Sequence, residues 1–204
     1  MSANFWNERY ESDEYVYGET PNKFFAQHLG DLKPGKILLP ADGEGRNGVY
    51  AATQGWEVHA FDQSSEGKRK AELLAAKLGV HISYNVASMP DVTYTPDSFD
   101  AMALIFAHFP GEEKLKFLQQ LSNYVKPGGT VIFEAYSKNH LKFKADNPRV
   151  GGPSDEIMLY TTEEIRTCFP DYETLLLEET EVEIWEGKLH GGLSSVIRFV
   201  GRKK

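Results

Sequence analysis

Cysteine is almost missing from this 204-residue chain: Cys168 stands alone, so no internal disulfide can form. A chain of this length buries about 70% of the surface its unfolded form exposes, enough to fold without a covalent staple or a structural metal. A lone thiol fits a reducing compartment. Met1 to Arg9 lacks the apolar stretch of a secretory leader, so a cytoplasmic location is expected. Long hydrophobic runs are missing too. Ala101 to Phe109 is the longest nearly uncharged apolar run, far below the roughly 20 residues a membrane helix needs. Positive charge is in deficit, with 22 Lys and Arg against 30 Asp and Glu and a formal charge of -8. That balance repels phosphate backbones and anionic lipid surfaces, so neither nucleic acid nor membrane is an expected partner. The one dense basic run, Lys68-Arg69-Lys70, reads as a solvated helix face. Repeats and low-complexity segments are absent, and no His, Cys, Asp or Glu grouping has metal-ligand spacing, so no metal is expected. Cys168 itself falls on the apolar side of a short helix pattern and reads as buried and inert.

What is there is an ordered alternation. Thr20-Pro21 has the hydroxyl and proline of a helix start, and Phe24, Phe25, His28 and Leu29 follow at helical spacing. Lys36 to Pro40, Gly55 to Asp62, Val80 to Tyr84, Phe99 to Phe106 and Thr130 to Ala135 read as five strands. Between them lie helical patterns at Asn47 to Thr53, Ser64 to Leu78 and Glu112 to Val125, the second with Leu73, Leu74, Ala76 and Leu78 on its packed side. Lys126-Pro127-Gly128-Gly129 breaks the third. A helix near Thr162 to Phe169 precedes two β runs, Glu173 to Trp185 and Ser194 to Val200, with the turn within Gly187 to Gly192. Strand and helix in alternation call for an α/β fold, a doubly wound and mostly parallel sheet. The closing antiparallel hairpin brings the strand count to seven. The whole chain, 1–204, is expected to form one domain.

In such sheets ligands bind at the C-terminal ends of the strands, where strand order reverses. Three loops should meet there. Gly43-Glu44-Gly45-Arg46-Asn47-Gly48 spells G-x-G-x-x-G, a bend followed by a helix start that offers free N–H groups to a ligand. Asp62, with Gln63 beside it, ends the second strand and suits a ribose diol. Ala87, Ser88 and Met89 lie where a purine would be framed. Together they point to an adenosine-containing cofactor. His108, after the fourth strand, and Tyr136, after the fifth, are the candidate catalytic groups; a plain loop role for His108 is the competing reading. His140 and His190 are less well placed.

The run Gly43 to Asn47, the strand ending Phe61-Asp62, and Lys126-Pro127-Gly128-Gly129 before the fifth strand resemble class I S-adenosylmethionine-dependent methyltransferases. The N-terminal Phe5-Trp6-Asn7-Glu8-Arg9-Tyr10 and Tyr15-Val16-Tyr17-Gly18 are similar to the tellurite-resistance and thiopurine methyltransferase-like branch. The resemblance covers residues 5 to 136 well, and implies a Rossmann-like methyltransferase fold with S-adenosylmethionine as cofactor. It implies that Gly43 and Gly45 line the methionine part, Asp62 holds the ribose, and Ala87 to Met89 frame the adenine. Asp42, Glu44, Asn47, Gln63, Phe106 and Tyr17 are further candidates for cofactor contact. Residues 1–34 are expected to supply a lid and a helix, with Trp6, Tyr10, Tyr15 and Tyr17 over the sulfonium or pinned to the sheet edge. Residues 137–160 are expected to be a substrate-side insertion. The expected partner is a small-molecule acceptor, a thiol or other soft nucleophile. Three positions depart from the family: Leu39 and Ala41 replace an acidic residue and a glycine, and Val86 stands where many members carry aspartate. Asp42 is the candidate for the missing carboxylate.

A nicotinamide-dependent oxidoreductase shares the glycine bend and the ribose carboxylate. It usually opens with its first strand and lacks a terminal hairpin, whereas here about 35 residues precede the first strand. A non-catalytic cofactor-binding module is the third reading, suggested by Leu39 and Val86.

Overall fold

The computed structural model describes residues 2–204. Its sheet runs through β1 (Lys36–Pro40), β2 (Glu57–Asp62), β3 (Ser83–Val86), β4 (Phe99–Ile105), β5 (Val125–Tyr136), β6 (Tyr172–Glu186) and β7 (His190–Lys203). Their spatial order is β3-β2-β1-β4-β5-β7-β6. The first five strands pair in parallel, and β7 pairs antiparallel with both β5 and β6. The chain starts in the middle of the sheet, winds outward through β2 and β3, then returns to build the other half from β4. The reversal lies between β1 and β4, and their C-terminal ends open the crevice there.

The helices are α1 (Ala3–Tyr10), α2 (Lys23–Gly30), α3 (Arg46–Thr53), α4 (Ser65–Lys77), α5 (Lys114–Ser122), α6 (His140–Asp146) and α7 (Thr162–Cys168). Because side chains alternate along a strand, each central strand feeds two cores. Ile37 and Leu39 of β1 pack with Phe25, Val49, Ala71 and Leu74 on the face covered by α2, α3 and α4. Leu38 packs on the other face with Phe117, Leu118 and Ile165 from α5 and α7. Burial on both faces is why β1 and β4 read as continuous apolar runs rather than alternating ones.

Several boundaries differ from the sequence reading. The helix expected to start at Thr20-Pro21 starts at Lys23, because the Asn22 side chain, not Thr20, accepts from the Phe25 N–H. The third strand begins at Ser83 rather than Val80, since Val80 N–H still closes the end of α4 on the Ala75 carbonyl. Lys126 to Gly129 lies inside β5, at a register irregularity against β4, and so does not precede the strand. Along α4 the packed side is Ala71, Leu74 and Ala75, while Leu73 and Leu78 are half exposed. Small residues seat that helix close to the sheet, and the larger leucines misled the periodicity.

Lys70 is not part of a solvated face. It is 1% exposed, its ammonium 2.6 Å from Glu44, with the Ser12 and Glu14 carbonyls as further acceptors. Cys168 is buried in α7, and burial pushes its thiol up to about 12, as its inert reading required.

Candidate functional site

A cavity of about 520 Å³ opens at the C-terminal ends of β1, β2, β4 and β5, within the size range of ligand pockets, about 300–1,000 Å³. Of the residues singled out from sequence, Tyr17, Asp42, Gly43, Glu44, Asn47, Asp62, Gln63, Ala87, Ser88, Met89, Phe106, His108 and Tyr136 line it. Gly45 does not. It sits in the left-handed region at φ 83°, and a Cβ there would stand 2.8 Å from the Ala71 Cα. Its glycine serves the seat of α3 on α4 rather than a ligand.

At one end of the cavity, Asp62 closes the bend after β1. One carboxylate oxygen accepts from the Gly43 N–H at 3.2 Å and the other from the Ser64 N–H at 2.9 Å. Burial raises its pKa to about 6 against the pull of those amides. A carboxylate oxygen has lone pairs to spare beyond one such bond, so Asp62 keeps acceptor capacity toward the cavity. Gly43 has φ 55°, and a Cβ there would lie 2.7 Å from the Tyr10 hydroxyl. The glycine therefore lets Tyr10 close over the bend.

Three neighbours of that bend line the cavity and also carry contacts within the protein. Asp42, the candidate for the acid missing at Leu39, accepts from the Gly48 N–H at 3.1 Å in the first turn of α3, and burial pushes its carboxyl up to about 8. The Glu44 carboxylate faces Lys70 and accepts from the Val16 and Tyr17 N–H groups, which ties the N-terminal segment to the bend. Asn47 accepts from the Asn22 N–H at 2.9 Å. Leu39 lies in the core, 1% exposed, and Val86 is half exposed and outside the cavity lining.

Ala41, where glycine is the family habit, has φ 54°, and Phe106 has φ 52°. These two strained positions follow β1 and β4 and both line the cavity. Such strain persists only where the surroundings impose it.

The N-terminal aromatics divide. Trp6 stacks on Tyr10 at 5.5 Å between centroids, and both line the cavity with Tyr17. Tyr15 instead points to α4, its hydroxyl donating to the Lys70 carbonyl. Asn7 accepts from the Ser64 hydroxyl at 2.7 Å, anchoring α1 over the start of α4.

The other end of the cavity holds the histidines. His108 packs parallel to Tyr136, and its Nδ1 lies 3.0 Å from the Met158 carbonyl. Its Nε2 accepts from the Tyr136 N–H at 3.4 Å. Burial lowers its pKa to about 4. Both ring nitrogens of this proposed catalytic group are thus engaged by backbone. The Tyr136 hydroxyl donates to the Val150 carbonyl at 2.9 Å, and burial holds its pKa well above the ordinary phenol value. His140 lies fully buried against Tyr136.

Residues 37–129 match the methyltransferase domain family. A ubiquinone biosynthesis O-methyltransferase from Alkalilimnicola ehrlichii is 29% identical over 119 residues, 57% of this chain and 47% of that protein. The chain spans about half the length of the curated relatives it matches. Among solved structures, magnesium protoporphyrin IX methyltransferase from Synechocystis, crystallised with bound SAH, superposes with a TM-score of 0.70 at 13% identity, over 99% of this chain and 98% of that one. TehB from Haemophilus influenzae superposes with a TM-score of 0.70 at 16% identity, over 99% of this chain and 67% of that one. Residues 37–129 are thus similar in sequence to a methyltransferase domain, and the whole chain shares its fold with solved methyltransferases.

Beyond the motif residues, a polar network gathers at and behind the cavity wall. Arg46 from α3 meets Glu186 at 2.6 Å, and His190 meets the same carboxylate oxygen at 3.2 Å. Asn22 bridges Glu186 to Glu134, which in turn pairs with Arg198 at 2.6 Å. Arg9 and Lys144 also line the cavity, and among the described residues neither is paired with a carboxylate. Four-residue spacing of Glu186 and His190 was visible, but it fell on a turn. The partner Arg46 is 140 residues away.

Proposed function

We propose that the chain transfers a methyl group from S-adenosylmethionine to a small-molecule acceptor. The observation that carries this reading is the joint placement of Gly43, Asp62 and Ala87 to Met89 along one wall of the cavity. The residues fit the cofactor. In this reading the glycine bend at Gly43, under Tyr10, takes the methionine part, the carboxylate at the end of β2 takes the ribose, and the loop after β3 takes the adenine.

When bound, S-adenosylmethionine supplies an already activated methyl group on a sulfonium. The protein's part is placement in a dry pocket. In this reading Asp62 accepts from the ribose hydroxyls, and Ala87, Ser88 and Met89 hold the adenine. Phe106, on the strained end of β4, presents its ring on the acceptor side beside Tyr136 at 4.7 Å. Trp6, Tyr10 and Tyr17 act as the lid, where aromatic faces favour a cation. Residues 137–160 act as the acceptor-side insertion, since Lys144, Gly152, Pro153 and Ser154 line the cavity. The relatives that share sequence with the chain are O-methyltransferases by name, which favours a hydroxyl acceptor over the thiol suggested by the sequence.

The test is direct. Protein supplied with methyl-labelled S-adenosylmethionine and a panel of phenols, carboxylic acids, amines and thiols should move label into one acceptor class and release S-adenosylhomocysteine. Binding of the cofactor without turnover on any acceptor would instead favour a binding module.

A further inference from the structure

We infer that His190 is the proton acceptor for methyl transfer to a hydroxyl-bearing substrate, with Glu186 as its positioning residue; this rests on the methyltransferase reading. Three histidines lie at the acceptor end, and their surroundings separate them. His108 has both nitrogens engaged by backbone. His140 is fully buried, does not line the cavity, and has an Nδ1 without a partner, the one buried side-chain polar atom left so among the described residues. His190 lines the cavity, between Tyr17 at 4.5 Å and Phe106 at 4.9 Å by ring centroids. Its Nδ1 faces Glu186, and among the described residues its Nε2 has no hydrogen-bond partner and is not sealed from solvent as His140 Nδ1 is, which leaves it open to the cavity that the ring lines.

Glu186 fixes the tautomer. Burial opposes its ionisation, but the hydrogen bond to His190 and the Arg46 guanidinium outweigh that, and its carboxyl falls to about 2. A carboxylate only accepts, so Nδ1 of His190 must carry the proton and Nε2 must carry the lone pair. Burial lowers the pKa of His190, with Glu186 pulling the other way. Arg46 from α3 and Arg9 from α1 also disfavour the imidazolium, while His108 and His140, whose pKa values burial lowers to about 4, and Tyr17 and Tyr136 face it uncharged. The ring is therefore neutral at neutral pH, the state a base needs, and the Glu186 charge steadies the imidazolium once formed.

In the step, Nε2 takes the hydroxyl proton while an oxygen lone pair forms the bond to the methyl carbon. The carbon–sulfur bond breaks with its pair remaining on sulfur, so the sulfonium ends as a neutral thioether and the charge ends on His190. A thiol acceptor, already largely ionised near neutral pH when aromatic, needs no such base.

Two readouts test this on the full chain. With S-adenosylhomocysteine added, isotope-labelled histidine NMR should find His190 neutral, as the Nδ1–H tautomer. Glu186→Gln should mix the tautomers and lower the midpoint of the ring's titration. An Nε2–H tautomer in the unaltered protein overturns the inference. In turnover, with catechol as hydroxyl probe and thiophenol as thiol probe, His190→Gln should cut catechol methylation by about 100- to 10,000-fold. Thiophenol methylation should change by less than about tenfold, and S-adenosylhomocysteine affinity should stay as it was. Equal losses on the two probes, or undiminished catechol turnover, sink this inference alone. Failure of the unaltered chain to bind S-adenosylhomocysteine sinks the methyltransferase reading beneath it.

Discussion

The two ends of the cavity are built differently. The end near β1 and β2 comes from short, consecutive stretches: a bend at 41–47, a strand end at 62–63 and a loop at 87–89. The end near β4, β5 and the hairpin is assembled from Phe106, Tyr136 and His190, with Glu186 behind His190 and with Arg46 and Tyr17 reaching in from the other side. The first is backbone geometry plus one carboxylate. The second is a buried polar network, in which each charge depends on the next for compensation. Local bends can be read from a local motif; a network closed across 140 residues cannot.

Substitutions in the two ends should fail in different ways, and the largest effect belongs to the network. Arg46→Met leaves Glu186 buried with only His190 and Asn22 beside it, and should cost about 3–5 kcal/mol of folding stability. Chemical denaturation measures it; a loss below about 1 kcal/mol would mean the network is less buried and less coupled than its contacts indicate. At the other end, Asp62→Ala should cost folding less than Arg46→Met does and weaken S-adenosylhomocysteine binding by about 1–3 kcal/mol through lost charged hydrogen bonds. Calorimetric titration reads this, and an unchanged dissociation constant would place the ribose elsewhere.

Proton linkage sharpens the contrast further. Asp62 must be ionised to accept from two hydroxyls, and its carboxyl titrates near about 6 when folded. Cofactor affinity should therefore hold above that pH and decline below it, and the decline should flatten in Asp62→Asn. The effect on folding has the opposite sign. A carboxyl raised from its ordinary 3.8 favours the folded state at low pH, and that share of stability is lost as pH climbs through the folded value. The smallest effect concerns backbone strain. Ala41→Gly relieves a left-handed alanine at φ 54°, worth about 1–2 kcal/mol, against about 0.4–1 kcal/mol of added freedom in the unfolded chain. A net gain of about 0.5 kcal/mol in denaturation would match; a loss would show that the Ala41 methyl packs usefully.

The same division governs what the sequence made legible. The five parallel strands, the terminal hairpin and the bend at Gly43 follow from apolar runs, glycines and turn residues that act within a few positions. Boundaries slipped where a neighbour intervened, as when Asn22 displaced Thr20 as the cap of α2. Lys70 looked solvated because its partner Glu44 is on another element, and Gly45 looked like a ligand contact because its real neighbour, Ala71, is on α4. In the sequence His108 stands out by its position after a strand alone. Position says where a side chain begins, not whether its nitrogens are already engaged by Met158 and Tyr136.

The account stands on an adenosyl group seated between Gly43, Asp62 and Ala87, and one titration addresses it most directly. Calorimetry of the unaltered chain at neutral pH with S-adenosylhomocysteine and, separately, NAD should show saturable binding of the first and none of the second. Tighter binding of NAD, or no heat with either, would contradict it.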